Sequence, residues 1–156
     1  MSGNAGAVLI RPMRAADLDR VLEIADNLSE APHWNRAAYL VALDAFEQPR
    51  RIAFVAERAD CVAGFAVASC VGEEAELESI SVDQSAQRLG VGRRLLEALT
   101  GALRAEGARR MLLEVRASNL YAIAFYSALG WVECGRRKRY YADPEEDALL
   151  LSLHLQ

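Results

Sequence analysis

A short glycine-containing segment between a predicted strand and a predicted helix constrains the fold of this chain most strongly. The strand is expected over Ala75–Val82, and apolar residues recur at helical spacing over Gly90–Glu106. The segment Gln87–Arg94, with the sequence Gln-Arg-Leu-Gly-Val-Gly-Arg-Arg, joins them. An apolar strand over Arg110–Val115 follows, and such a succession of strand, helix and strand is typical of α/β domains.

Hydrophobic periodicity assigns the other elements. In chain order we predict a strand over Ala7–Pro12, helices over Ala16–Leu28 and Asn35–Phe46, strands over Arg51–Glu57, Cys61–Val71 and Ala75–Val82, a helix over Gly90–Glu106, a strand over Arg110–Val115, a helix over Leu120–Leu129, and strands over Trp131–Tyr141 and Ala148–Leu155. This order, β-α-α-β-β-β-α-β-α-β-β, predicts a single α/β domain with a mixed sheet over residues 1–156.

The same patterns predict which side chains are buried. Leu40, Leu43 and Phe46 are expected to face inward from the second helix. The nearly continuous apolar run over Arg110–Val115 is typical of a strand buried on both faces. Strict alternation along the predicted strand Ala75–Val82 places Glu76, Glu78, Ile80 and Val82 on one side, and Leu77, Ser79 and Ser81 on the other.

Composition excludes several classes of protein. The chain has 156 residues, enough for one ordinary domain, and 53% of them are hydrophobic. The formal net charge of −4 disfavours binding to nucleic-acid phosphates. No apolar stretch reaches the roughly 20 residues that span a bilayer, and Met1–Pro12 lacks a secretory pattern. Cys61, Cys70 and Cys134 form no Cys-x-x-Cys pair, as is typical of reduced thiols. We therefore expect a soluble, cytoplasmic protein without a membrane or nucleic-acid partner.

The glycine-containing segment has the chemistry of a phosphate-binding loop. The first amides of a helix lack intrahelical partners, and the helix dipole adds about half a positive charge there. Glycine lets a ligand approach that backbone closely, and Arg88, Arg93 and Arg94 add formal positive charge. A helix start that only needs two flexible residues is an equally good reading of Gly90 and Gly92 in isolation.

Two known phosphate-loop motifs do not match. A P-loop requires Gly-Lys followed by Ser or Thr, whereas Gly92 precedes two arginines. The dinucleotide-binding motif requires a small residue where Leu95 stands, and its glycines directly follow the strand rather than a five-residue spacer after Val82.

A family resemblance resolves these alternatives. Gln87-Arg88-Leu89-Gly90-Val91-Gly92 resembles the coenzyme loop Arg/Gln-x-x-Gly-x-Gly/Ala of the GCN5-related N-acetyltransferase (GNAT) superfamily. The stretch from about Glu76 to Leu155 is similar to the bacterial ribosomal-protein alanine N-acetyltransferases of the RimI type, through Leu113–Asn119, Ala122–Tyr126, Leu129–Trp131, Arg137–Tyr141 and Glu146–Leu149.

The resemblance implies a GNAT fold, in which a mixed, mostly antiparallel sheet has two splayed parallel strands and is flanked by helices. It implies that acetyl-CoA, as co-substrate and without a metal, lies between the strands that end at Val82 and Val115. The residues it assigns to the coenzyme are Ile80, Ser81 and Val82 at the acetyl and pantetheine end, Arg88, Leu89, Gly90, Val91, Gly92 and Arg93 at the phosphates, and Asn119 at a pantetheine amide.

Glu114 is the candidate general base, since it is the one carboxylate within the apolar run Met111–Val115. By pattern alone it could also be a solvated carboxylate or one paired with Arg116. The resemblance implies that Glu114 lies near the incoming amine. It also implies an oxyanion donor at the backbone N–H near Val82, where such enzymes have a strand bulge.

Tyr126 is the candidate general acid for the departing thiolate. It stands seven residues after Asn119, on one side of the short helix. Helical spacing does not distinguish it from Phe125, and a buried tyrosine is the usual outcome for such a residue. The resemblance selects Tyr126.

The implied activity is acetyl-CoA-dependent acetylation of the N-terminal alanine of small-subunit ribosomal protein eighteen, by direct transfer. Deprotonating an α-amine of pKa 7.7–8.0 costs about 1–1.4 kcal/mol at neutral pH, against about 4.6 kcal/mol for a lysine. A GNAT enzyme acting on lysine side chains or small amines is the alternative, and a non-catalytic acyl-CoA-binding module is a third. We expect a monomer or weak dimer whose partner is a protein N-terminus.

Other charged residues have more than one interpretation. His33 and His154 are isolated and expected at the surface. Arg136–Arg139 is expected to form an exposed hairpin face, which in this family helps to shape the peptide groove. The acidic residues Glu73, Glu74, Glu76 and Glu78 are equally compatible with an exposed edge and with attraction of a cationic N-terminus.

Overall fold

The computed structural model describes residues 7–27 and 34–156. Its helices and strands are β1 Val8–Pro12, α1 Leu18–Asp26, α2 Arg36–Leu43, β2 Arg50–Arg58, β3 Cys61–Val71, β4 Glu74–Val82, α3 Val91–Ala105, β5 Arg110–Arg116, α4 Leu120–Ala128, β6 Val132–Tyr141 and β7 Glu146–His154. The predicted order of elements is confirmed. No helix within these described ranges is both long and apolar enough to cross a membrane.

The seven strands form one sheet in the order β1-β2-β3-β4-β5-β7-β6. Only β4 and β5 are parallel, because α3 carries the chain back between them; the other neighbours are antiparallel. The parallel pairing runs from Glu74 and Arg110 to Glu76 and Leu112. Beyond that point both strands continue, β5 to Arg116, but the described residues pair no further. The sheet therefore splits open towards the carboxyl ends of β4 and β5.

Helices cover both faces of the sheet. On one face Leu95 and Leu99 of α3 pack, fully buried, against β3 residues that include Ala66. On the other face α1 and α2 bury a second cluster, in which Leu18 packs with Phe65 of β3. Since neighbouring residues of a strand point to opposite faces, β3 contributes to both clusters. The mixed α/β layout predicted above is confirmed.

The second helix is shorter than predicted, and its buried face is different. Asn35 caps it as expected, its side chain accepting a hydrogen bond from the Ala38 N–H at 2.8 Å. The helix ends at Leu43, so Phe46 lies beyond it and is 95% exposed rather than facing inward. Leu40 is also exposed; the buried residues of this helix are Tyr39 and Ala42. These two residues, three positions apart, lie on the face of the helix that meets the sheet. The apolar pattern of the sequence did not distinguish this face from the adjacent one, which carries Leu40.

The strict alternation predicted for β4 is wrong because the strand contains a bulge. Val67 of β3 pairs with Ser79 and Ala68 pairs with Leu77, which leaves Glu78 as an extra residue. The extra residue brings Leu77 to the α3 face, together with Ile80 and Val82 rather than opposite them.

The prediction that β5 is buried on both faces is also wrong. Met111, Leu113 and Val115 are buried on the α3 face, while the residues between them are only half-buried. The helices α1 and α2 contact β2, β3 and β4, so the opposite side of β5 stays partly open.

The first helix also begins differently from the prediction over Ala16–Leu28. A short 3₁₀ turn at Ala15–Asp17 precedes α1. Leu28 and His33 lie outside the described residues, and His154 is exposed as expected.

Candidate active site

The split between β4 and β5 opens into a cavity of about 830 Å³, within the usual range for sites that bind small molecules. Four parts of the chain form its wall: the end of β4, the glycine-containing loop with the start of α3, the end of β5, and α4. Its lining includes Glu78, Ile80, Ser81, Val82, Gln87, Arg88, Gly90, Val91, Gly92, Glu114, Asn119, Phe125 and Tyr126.

The glycine-containing loop has the geometry of an anion site. Gly90 takes a left-handed conformation, with φ of +76°, and is the N-cap of α3. The first turn of α3 has no acidic residue, so the positive end of the helix dipole faces the cavity without a competing negative charge. At Gly92 a β-carbon would lie 3.2 Å from the ring of Phe125 on α4. The left-handed φ at Gly90 and the close approach at Gly92 therefore favour glycine at both positions, and the loop with Arg88 beside it fits a diphosphate.

The end of β4 directs backbone groups into the cavity. The Asp83 N–H donates to the Ala63 carbonyl at 2.8 Å, and antiparallel pairs alternate between hydrogen-bonded and non-bonded. Val82 is therefore in a non-bonded pair, and its N–H and C=O point away from β3 into the split. The Gln87 side chain donates to that carbonyl at 3.1 Å, which leaves the N–H of Val82 as the group that can serve a ligand. The bulge expected near Val82 lies instead at Glu78.

The helix α4 provides Asn119 and Tyr126. The Asn119 side chain caps α4 by accepting from the Ala122 N–H at 3.1 Å, so its amide Nδ2 is the part that can donate to a ligand. Tyr126 is 7% exposed and packs against Phe125 and Trp131, with ring centroids 5.2 and 5.6 Å away. Burial raises the pKa of Tyr126 far above its ordinary value, so the phenol stays protonated at neutral pH.

Glu114 lies on the opposite face of β5 from Leu113 and Val115 and also lines the cavity. Its Oε1 is 3.3 Å from Nε of Arg137 on β6. A hydrogen bond from Tyr140 to Glu114, with the charge of that carboxylate, raises the pKa of Tyr140. Two β6 side chains, Arg137 and Tyr140, thus contact the Glu114 carboxylate in the cavity wall.

Arg116, considered above as a partner for Glu114, instead forms an ion pair with Glu146 at 3.3 Å. Its guanidinium also lies 4.2 Å from the ring centre of Tyr141. Arg116 therefore fixes the β6–β7 hairpin through Glu146, whereas Arg137 contacts the candidate base Glu114.

Most of the residues expected at the site come together around this cavity, and two do not. Leu89 is half exposed, and Arg93 forms an ion pair with Glu97 at 3.1 Å; neither belongs to the cavity wall. Sequence reasoning missed Gln87 as a site residue although it begins the motif, and it named Glu78 only within an acidic group that was equally compatible with an exposed edge and with attraction of a cationic N-terminus. The motif itself was a signal for Gln87. The position of Glu78 depends on a β-bulge, and a bulge cannot be recognised clearly from a single sequence.

Comparison with known proteins identifies related chains. The model of the acetyltransferase (GNAT) family matches residues 18–131. The [ribosomal protein bS18]-alanine N-acetyltransferase of Escherichia coli K12 is 46% identical over 94 residues, which are 59% of this chain and 64% of that protein, less than two thirds of its length. The putative [ribosomal protein bS18]-alanine N-acetyltransferase of Bacillus subtilis is 31% identical over 142 residues, 91% of this chain and 92% of that protein.

Solved structures show the same fold. The crystal structure of the ribosomal-protein-S18-alanine N-acetyltransferase from Escherichia coli has a TM-score of 0.82 and 32% identity, covering 96% of this chain and 95% of that one. A putative streptothricin acetyltransferase from Bacillus anthracis, solved in complex with acetyl coenzyme A, has a TM-score of 0.77 and 26% identity, covering 95% and 99%.

Proposed function

Because this chain belongs to the GNAT family of acetyltransferases, we propose that it transfers the acetyl group of acetyl-CoA to the N-terminal alanine of ribosomal protein bS18. The single observation that carries the proposal is that Glu114 and Tyr126 line one cavity with a phosphate-type loop at its end. The names of the E. coli and B. subtilis relatives support the choice of acceptor.

The cavity wall fits acetyl-CoA by its chemistry. Amides at Gly90 and Gly92, with the charge of Arg88, suit the diphosphate. The amide Nδ2 of Asn119 suits a carbonyl of the pantetheine arm, and Ile80 and Val82 provide apolar contact beside it. When bound, acetyl-CoA supplies an acetyl thioester, which is activated for transfer to an amine.

Glu114 accepts the proton of the acceptor. An α-ammonium of pKa 7.7–8.0 is mostly charged at neutral pH, so a base must remove one proton before the nitrogen can attack. Glu114 stands at the mouth of the cavity, on the open side of β5, where an extended N-terminus can reach it. Arg137 and Tyr140 keep its carboxylate in place.

Two further groups stabilise the charges that develop during transfer. The Val82 N–H, directed into the split, donates to the carbonyl oxygen as it becomes negative. Tyr126 donates its proton to the sulfur as it departs, and the phenolate that remains is reprotonated by the second proton, which the nitrogen loses as the amide forms. A phenol whose pKa is raised is not acidic enough to act after a free thiolate has formed, so the proton moves together with the breaking of the C–S bond.

The proposal is tested by mixing the protein with acetyl-CoA and a peptide that has the N-terminal sequence of bS18, and following thiol release. We expect acetylation confined to the α-amine, as shown by the mass of the product. The control is the same peptide with a blocked α-amine and an added lysine. Faster turnover of that control would favour a lysine acetyltransferase, and coenzyme binding without turnover on any amine would indicate a non-catalytic module.

A further inference from the structure

A second carboxylate lies in the same cavity as Glu114 and takes no part in the mechanism above. It belongs to Glu78, the extra residue of the β4 bulge. A bulge turns a side chain away from the direction that regular alternation would give it. Here it lets an acidic side chain, 16% exposed, reach the wall of the split sheet.

Arg51 on β2 holds Glu78 in place. Its Nε and Nη2 donate to the two carboxylate oxygens at 2.9 and 3.4 Å, a forked arrangement that fixes the plane of the carboxylate. The same guanidinium lies 5.9 Å from the ring centre of Trp34. A carboxylate has about four lone-pair positions, and Arg51 uses one on each oxygen, so each oxygen can still accept a hydrogen bond from a ligand.

Glu78 and Glu114 create a negative field on the same side of the sheet. Glu76 lies near both: burial and the charges of Glu78 and Glu114 raise its pKa. The arginines paired with these carboxylates, Arg51 on β2 and Arg137 on β6, do not belong to the cavity wall. Arg116 does line the cavity, but it pairs with Glu146. A small cation between β4 and β5 on this side therefore has two carboxylates in the wall beside it.

A buried hydroxyl in the same wall also points to a ligand. Ser81 pairs with Phe65 across β3 and β4, which places its side chain on the α1/α2 face rather than with Ile80 and Val82. It is 5% exposed and lines the cavity, yet within residues 7–27 and 34–156 its Oγ has no hydrogen-bond partner. A buried hydroxyl without a partner is unfavourable, and either a water molecule or a polar group of a ligand in the cavity would satisfy it.

We propose that Glu78 binds the ammonium group of the acceptor N-terminus before transfer and sets the enzyme's preference for a free, cationic α-amine. This inference rests on the proposed function, because it concerns the acceptor of the same site. Glu78 binds the –NH₃⁺ group without taking its proton; Glu114 removes one proton, and the uncharged amine that results is released from Glu78 towards the thioester. Arg51 is a positioning residue that acts through Glu78.

The test compares two peptides on the full chain in complex with coenzyme A. One peptide begins with alanine; the other begins with a propionyl group and differs only in lacking the α-amine. Binding is measured by calorimetry in a Glu114→Gln background, which removes the other carboxylate of the cavity wall; no turnover occurs because coenzyme A carries no acetyl group. We expect Glu78→Gln to weaken binding of the amine peptide at least tenfold and that of the propionyl peptide less than twofold. The matched control is Glu74→Gln, on the same strand but outside the cavity wall.

Turnover separates this inference from the proposed function. With Glu114 intact, Glu78→Gln should raise KM for the alanine peptide at least tenfold and change kcat less than threefold, with coenzyme affinity preserved. If the wild type acetylates the peptide and Glu78→Gln has the same KM as the wild type, the role of Glu78 is overturned but the proposed function is not. Absence of turnover on any α-amine overturns the proposed function. Equal binding of the alanine and propionyl peptides to the protein that retains Glu78 overturns the role of Glu78 in binding the ammonium group.

A second variant covers the case in which Glu78→Gln does not fold. Glu78→Asp keeps the charge and the pair with Arg51 but shortens the side chain by one methylene. Binding of the amine peptide should then fall at least threefold more than that of the propionyl peptide. An equal loss for both peptides would show that the bulge only shapes the cavity.

Discussion

Glu114 and Tyr126 line one cavity from opposite faces of the sheet. Tyr126 packs with Leu113 and Val115, whereas Glu114, between those two residues, points to the other side. The glycine-containing loop and Asn119 lie on the side of Tyr126. Glu78 and Arg137 lie on the side of Glu114. The arrangement suits a ternary complex in which the coenzyme and the acceptor enter from opposite faces and meet within the split.

Replacing Glu114 by glutamine should remove the base without removing the site. We expect kcat on the alanine peptide to fall at least tenfold, because glutamine cannot accept the proton of the amine, while the affinity for acetyl-CoA is unchanged. Steady-state kinetics and calorimetry measure the two effects. Glu133→Gln, at an exposed position of β6, is the matched control and should retain full turnover. Full turnover in Glu114→Gln as well would contradict the assignment.

Replacing Tyr126 by phenylalanine should affect the chemical step alone. The ring contacts with Phe125 and Trp131 are kept, but the hydroxyl that we propose as the proton donor to sulfur is lost. We expect kcat to fall at least tenfold. Substituting a thioester with a more acidic thiol should narrow that gap, since a better leaving group needs less protonation. An equal loss of kcat with both thioesters would contradict proton donation by Tyr126.

Tyr126 should also influence stability at high pH. Its pKa is raised in the folded protein by burial, whereas the unfolded chain ionises this phenol near its ordinary value of 10. The buried phenol therefore stabilises the fold fully below pH 10, and the contribution is lost as pH rises above that value. Urea unfolding at pH 8 to 11 should show a smaller loss of stability in Tyr126→Phe than in the wild type. Parallel losses would disprove the burial effect.

Gly92 and Gly101, both within α3, offer a matched pair. A β-carbon at Gly92 would lie 3.2 Å from Phe125, whereas one at Gly101 would meet no atom within 4 Å among the described residues outside its own turn of helix. Gly92→Ala should displace α4 and weaken acetyl-CoA binding at least fivefold. Gly101→Ala should leave binding unchanged and stabilise the helix by roughly 0.5–1 kcal/mol. Calorimetry and thermal unfolding distinguish the two, and equal coenzyme affinities would contradict the close approach.

Asp17 should contribute most of its stabilisation above acidic pH. Arg11 donates to both of its carboxylate oxygens at 2.8 and 2.7 Å, and the Arg14 N–H donates at 2.8 Å. The hydrogen bonds from Arg11 hold the pKa of Asp17 below its ordinary 3.8. Its contribution is present above that value and is lost as pH falls through the lower folded pKa.

Asp17→Asn should therefore cost about 2–3 kcal/mol at pH 7, because charge-assisted hydrogen bonds to a buried carboxylate are lost. The difference from the wild type should shrink below pH 3.8. Chemical unfolding at pH 7 and pH 3 measures both values. Asp19→Asn, whose side chain is 89% exposed, is the control and should change stability little.

Local pattern was sufficient to predict the order of elements and the parts of the site that lie close together in sequence. The helix spacing over α3 and the cap at Asn35 depend on neighbours a few residues away. The resemblance then indicated Glu114 and Tyr126, and the structure brings both to one cavity.

What only tertiary structure decided is how distant segments meet. The bulge at Glu78 depends on how β4 pairs with β3, and its partner Arg51 is 27 residues away. The contact of Arg137 with Glu114 depends on the order β5-β7-β6 in the sheet, and the exposure of Phe46 depends on where the layer formed by α1 and α2 ends. Strand register and helix placement are set by the packing of the whole core, so residues that are far apart in sequence acquire their roles only when that core forms.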